Sequence, residues 1–168
     1  MRLPWAAATN ITDVTSVLSA RGQALYFAMH RTSSELWGNT FSLSSFLCPY
    51  PDCSNNGEAI GGAHAPHAIV TNLASATGRV VARAHPFAAA HTMLMVDQDA
   101  VPRVLRCIDD TCSRVAAQSF PYGEAVCTVS TCFDARVNSV DGMPVLAMGS
   151  SLHVAHCSNP FCTPYITY

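Results

Sequence analysis

Asp141-Gly142-Met143-Pro144-Val145-Leu146-Ala147-Met148-Gly149-Ser150-Ser151-Leu152-His153-Val154-Ala155-His156-Cys157-Ser158-Asn159-Pro160-Phe161-Cys162 is the stretch from which the fold is read. Asp141-Gly142 predicts a tight turn, Pro144 to Met148 a strand, and Gly149-Ser150-Ser151 a second turn. From Leu152 to Cys157 a second strand is expected, with Leu152, Val154 and His156 on one face and His153, Ala155 and Cys157 on the other. Neither face is plainly polar, so both are expected to be partly covered. The phrase closes on Cys157-x4-Cys162.

That ending recurs. The eight cysteines fall into four pairs of one spacing: Cys48 and Cys53, Cys107 and Cys112, Cys127 and Cys132, Cys157 and Cys162. Four intervening residues fit a four-residue hairpin loop, which would set the two cysteines opposite each other on antiparallel strands, within reach of a disulfide. Pro49, Pro51 and Pro160 in two of the loops, and Asp109-Asp110 in a third, are turn chemistry; Thr128-Val129-Ser130-Thr131 is the weakest of the four. By loop-closure entropy such short bridges are worth about 2 kcal/mol each, so they would fix hairpin register more than global stability. The competing reading is zinc held by two cysteine pairs, although structural zinc more often uses two intervening residues.

Turn-plus-strand phrases also recur, at Arg21-Gly22-Gln23-Ala24-Leu25, Asn56-Gly57-Glu58-Ala59-Ile60, Asp99-Ala100-Val101-Pro102-Arg103, Tyr122-Gly123-Glu124-Ala125-Val126 and Asp141-Gly142-Met143-Pro144-Val145. The expected fold is therefore all-β, a single domain over 1–168 built of antiparallel hairpin repeats at about 11–55, 56–96, 97–133 and 134–168. Gly61 to Ala90 has no cysteine; Ile69-Val70-Thr71 and Arg79-Val80-Val81-Ala82-Arg83 are read as two strands of one cysteine-free repeat, with a short helix around Phe87 to Ala90 as the alternative. Met1 to Asn10 is read as a tail, unstructured or completing a strand.

The pattern Asp-Gly-x-Pro, then Leu-x-Val-Ala-His-Cys-x4-Cys-Thr, resembles a repeat of extracellular β-propeller-like proteins. The resemblance is specific over Asp141 to Thr163, partial over Asp97 to Cys112 and Ala20 to Cys53, and fails between Gly61 and Ala90. It implies four-stranded, propeller-like blades of about 40–50 residues. A chain of 168 residues holds only three or four such blades, which favours an incomplete ring, a fragment or a partner-completed assembly.

Composition narrows function mainly by exclusion. Charged residues make up 12% of the chain and the net charge is −2, so no basic field for nucleic acid is present. All nine basic residues are arginine, which excludes lysine Schiff bases and phosphate-loop lysines. No apolar run approaches the length of a spanning helix. There is no visible signal peptide, yet the cysteine usage points to an extracellular or cell-surface setting, and Asn10-Ile11-Thr12 is a glycosylation sequon.

No catalytic, cofactor-binding or metal-binding residue is assigned, and no cofactor is expected. His64 and His67, with His85 and His91, are the best histidine cluster for a metal, but Pro66 bars a helical ligand face and ordinary loop and strand histidines are the favoured reading. His153 and His156 are expected to hydrogen-bond the backbone of a neighbouring repeat, Asp97-Gln98-Asp99 to supply turn chemistry, and Asp109-Asp110 to be solvated turn aspartates. Glu35, Glu58 and Glu124 are the only glutamates, a thin basis for a propeller-type glycoside hydrolase. The expected function is a non-enzymatic secreted or surface module, structural or binding a protein or glycan, with further copies of the repeat as another partner. Loop residues Tyr50, Asp52, Asn159 and Phe161 beside the bridges are the expected contacts. A hydrolase and a zinc-stapled intracellular interaction domain are the alternatives.

Overall fold

The computed structural model describes residues 10–18, 22–35, 38–48, 67–75, 77–84, 92–99, 101–119, 133–138, 140–141, 143–148, 153–159 and 165–167. Among them the chain is all-β, without a helix. The strands are β1 (Ile11–Leu18), β2 (Ala24–Glu35), β3 (Gly38–Leu47), β4 (His67–Ala74), β5 (Val81–Ala84), β6 (Thr92–Gln98), β7 (Val101–Cys107), β8 (Val115–Ser119), β9 (Phe133–Val137), β10 (Pro144–Met148), β11 (His153–Cys157) and β12 (Tyr165–Thr167). They form three open antiparallel sheets of four, each strand paired with its sequence neighbour: β1-β2-β3-β4, β5-β6-β7-β8 and β9-β10-β11-β12.

The sheets stack face on face, and β6 shows why its sequence is apolar without alternation. Met93 and Met95 point into a core shared with Phe133, Ala135, Leu146, Ala155 and Cys157 of the third sheet. Leu94 and Val96, on the opposite face, enter a core shared with Leu25, Phe27, Met29, Phe41, Leu43 and Leu73 of the first. A strand covered on both faces has no use for a polar side, so the period of two survives only as a choice between two cores. Burying each such side chain contributes about 1.5–3 kcal/mol. In β2 the same alternation sends Leu25, Phe27 and Met29 inward, while Ala28 joins Phe46 and Cys48 in a smaller cluster with Ile11, Ala24 and Tyr26.

Neighbouring sheets also meet along their first strands, and the polar bonds there set a common direction. Asp13 Oδ2, near the start of β1, accepts from the Val80 amide just before β5 at 3.0 Å, and Thr12 Oγ1 donates to the Gly78 carbonyl at 2.7 Å. Arg79 Nη1 donates to the Phe133 carbonyl at 3.1 Å, and Arg83 Nε to the Ala135 carbonyl two residues on in β9. Starts therefore lie beside starts, and β1, β5 and β9 run alike. Since each sheet is a meander, the C-terminal ends of β1, β3, β5, β7, β9 and β11 all point to one end of the stack.

Several expectations need correction. The four approximate repeats resolve into three sheets: the boundary at 96/97 falls inside β6 and that at 133/134 inside β9. The turn at Asp99 leads from the second strand of its sheet to the third, whereas the turn at Asp141 leads from the first to the second, so equating the two phrases shifted the repeat by one strand. Ile69 to Thr71 and Val81 to Arg83 do form strands, but in different sheets. β4 closes the first sheet and β5 opens the second, with residues 75 and 77–80 described in the crossover between them. Of the expected tail over Met1 to Asn10, residues 1–9 lie outside the described residues and Asn10 is a turn residue before β1; the alternative helix around Phe87 to Ala90 also lies outside them.

Candidate functional site

The third strand of each sheet ends at a bonded cysteine. Cys48 immediately follows β3, Cys107 ends β7 and Cys157 ends β11, and all three are disulfide-bonded. They are also buried, Cys48 and Cys157 at 0% and 1% exposure. Cys107 is joined to Cys112 with a Cα separation of 4.8 Å. Cys53, Cys127, Cys132 and Cys162 lie outside the described residues, as do the partners of Cys48 and Cys157.

The Cys107–Cys112 loop differs from the expected hairpin. Across the β7–β8 pair Cys107 faces Val115, not Cys112, and the last ladder bond runs from the Ile108 amide to the Arg114 carbonyl at 3.0 Å. Cys112 lies inside the loop, brought back by a turn in which its amide donates to the Asp109 carbonyl at 3.1 Å and its φ is +53°. A directly opposed pair would have fixed register across the ladder; this bridge closes a turn beside it.

Asp109 organises that turn, where solvated aspartates were expected. Its Oδ1 accepts from the Thr111 amide at 3.2 Å, the Thr111 hydroxyl at 2.9 Å and the Ser113 amide at 2.8 Å, and its Oδ2 accepts from the Ser113 hydroxyl at 2.8 Å. Arg114 Nε adds a cation 3.7 Å from Oδ2. Partial burial pushes the carboxyl up, but the bonds from Ser113 and Thr111 together outweigh it and hold the group below its ordinary value of 3.8.

At the same end His156 meets Asp141, Nε2 standing 3.0 Å from Oδ2 but off the line of a hydrogen bond. The contact ties β11 to the β9–β10 turn of its own sheet, which corrects the expectation that His156 bonds the backbone of a neighbouring repeat. Asp141 Oδ1 meanwhile accepts from the Met143 amide at 2.9 Å, the turn chemistry read in the sequence. Exposed apolar side chains mark this end on all three sheets: Leu18 at 66%, Ile108 at 48% and Val140 at 90%. Asn159 follows β11 here, whereas Tyr50, Asp52 and Phe161 lie outside the described residues.

The opposite end holds a polar junction. Asp97 is fully buried at 0% exposure, and its Oδ1 accepts from the hydroxyls of Ser75, at 2.7 Å, and Thr77. Ser75 Oγ in turn accepts from the Gly78 amide at 2.8 Å, and Thr77 Oγ1 from the Arg79 amide at 3.2 Å. The crossover from β4 to β5 is thus wound around one carboxylate. Asp99, φ +53°, is the turn residue the sequence suggested, its amide donating to the Ala74 carbonyl at 2.7 Å. Asp97 is the correction: a buried acceptor, not a turn residue. Beside the junction Arg83 binds Asp134 at 3.0 Å, and Arg136 approaches the same carboxylate at 3.4 Å. Burial lowers the Arg83 pKa, Asp134 opposes this, and the cations of Arg136 and Arg79 reinforce it.

Of the candidate histidines, His67 opens β4 and is exposed; His64, His85 and His91 lie outside the described residues, as do Glu58, Glu124 and the side chains of Glu35 and His153. Among the described residues no three His, Cys, Asp or Glu side chains gather as a metal site would require, and no helix is long and apolar enough to cross a membrane. The Asp97 junction and the Arg79 and Arg83 bonds were not read from the sequence. The spacing of four between the arginines, which sets both on one face of an extended segment, was their only available signal. Comparison with protein-family models, curated proteins and solved structures finds no match.

Proposed function

We propose that the chain is a non-enzymatic β-repeat module, secreted or displayed at a cell surface, whose sheets are propeller-type blades and whose disulfide-bearing end binds a protein or glycan ligand. The observation that carries this reading is the bonded cysteine ending the third strand of each sheet, at Cys48, Cys107 and Cys157. A feature placed at one position in successive four-stranded meanders is what a blade repeat requires, and its chemistry favours an oxidising compartment. Packing of first strand beside first strand, with the middle sheet covered on both faces, supports the same reading. The two outermost faces leave a place for further copies of the repeat.

For binding, the disulfide-bearing end offers what a recognition surface uses: turns held by covalent and charge-assisted bonds, carrying exposed apolar side chains. The test begins with peptide mapping of the unreduced protein and metal analysis of the same sample. Cys48–Cys53, Cys107–Cys112, Cys127–Cys132 and Cys157–Cys162 are expected, without zinc; alkylatable thiols with stoichiometric zinc would overturn the reading. Protein and glycan arrays then address the ligand. A ligand whose capture survives Ile108→Asp combined with Val140→Asp binds elsewhere.

A further inference from the structure

We infer that Asn10 is an N-glycan acceptor, a reading that rests on the extracellular assignment proposed above. Asn10-Ile11-Thr12 is the only Asn-x-Ser/Thr triplet in the chain; none of the other six asparagines, at 39, 55, 56, 72, 138 and 159, has a hydroxyl residue two positions on. The fold presents it suitably. Asn10 is an exposed turn residue leading into β1, and its main-chain carbonyl is already engaged by the Arg31 amide at 2.8 Å. A sugar on its side chain therefore displaces no bond of that ladder.

Two further features give the modification an order and a use. The Thr12 hydroxyl, which the transferring enzyme must reach, is committed in the folded chain to the carbonyls of Gly78 and Met29 at 2.7 and 3.3 Å. Thr12 itself stays exposed, and transfer to the nascent chain, before the first two sheets dock, meets this hydroxyl free of both bonds. Position supplies the use. β1 is an edge strand of its sheet and exposes Val14 and Leu18, at 41% and 66%. A bulky hydrophilic group at the start of such a strand opposes edge-to-edge association. It also lies at the end opposite Ile108 and Val140, leaving the proposed binding surface open.

The test is expression of the full chain behind a cleavable secretion leader in animal cells, followed by enzymatic deglycosylation in heavy-oxygen water and peptide mass analysis. Residue 10 is expected to be recovered as labelled aspartate, with a single mobility shift that disappears in Asn10→Gln and persists in Thr12→Ser. Secreted protein with its disulfides formed and Asn10 unmodified overturns this inference while leaving the extracellular reading intact. Retention in the cell with alkylatable thiols overturns both.

Discussion

Where β1, β5 and β9 begin, the sheets are joined by buried and partly buried polar groups: the buried Asp97 carboxylate gathers Ser75 and Thr77, and the partly buried Asp13, Arg79 and Arg83 bond the backbones of adjoining segments. Where the same strands end, Cys107 and Cys112 join a turn to its own strand, and Asp109, Asp141 and His156 organise turns within single sheets. One end therefore holds sheets to one another, and the other holds individual turns in shape. The Asp97 carboxylate is desolvated, so it must be fully partnered. A turn at the surface keeps water as an alternative partner and costs less to disturb. The junction should accordingly be the more sensitive end to single substitutions, and the turn end the one that tolerates variation.

The largest expected effect is at Asp97. Asp97→Ala leaves the Ser75 and Thr77 hydroxyls without their acceptor in a buried place and should destabilise the protein by about 3 kcal/mol, measured by urea denaturation. A loss no greater than that of an exposed turn substitution would break the comparison. Gly78→Ala comes next. Gly78 has φ +61°, and an added Cβ would stand 2.6 Å from Phe41 Cε1 and 3.1 Å from Thr12 Oγ1. Phe41 is 2% exposed and cannot swing into solvent, so the substitution combines backbone strain with overpacking, at a cost of about 2 kcal/mol. Gly22→Ala is the control: φ is +71° but nothing lies within 4 Å, so only the backbone component should remain. Equal losses in the two variants would show that the close approach to Phe41 is unimportant.

The contrast between the ends also explains what was legible in the sequence. Turn signals are local: Asp99, Gly22 and Asp141 announced turns that the structure contains, and the alternation over Val154 to Cys157 named the correct faces. The cysteine spacing marked the ends of third strands for the same reason. Contacts between sheets are long-range, and nothing in Asp97-Gln98-Asp99 separates a carboxylate that accepts from residues 20 and 22 positions earlier from one that faces water. The repeat boundaries failed because similar turn phrases occur at different places in the meander, after the first strand at Asp141 and after the second at Asp99. The cysteine loop misled in another way: spacing gives the length of a loop but not which residue completes the ladder, and Val115 occupies the place expected for Cys112.

The smallest effect, and the one that sharpens the comparison through pH, is at Asp109. Its folded pKa lies below the ordinary 3.8, so as the solution is acidified the unfolded chain binds a proton before the folded one does. The contribution of the carboxylate is thus fully present above the unfolded value and is lost as the pH falls through the folded value. Asp109→Asn cannot accept the same set of bonds and cannot attract Arg114; it should cost about 1 kcal/mol at neutral pH. As the pH falls through the folded value and the native carboxyl takes up its proton, the difference between the two proteins should shrink. Urea denaturation of both proteins across the acid range measures this directly. A difference that persists undiminished at the acid end would mean that the loop depends on the shape of the side chain and not on its charge. Its loss below the ordinary carboxyl range would establish that the turn end is held by an ionised group still in exchange with water, in contrast to the sequestered carboxylate at the junction.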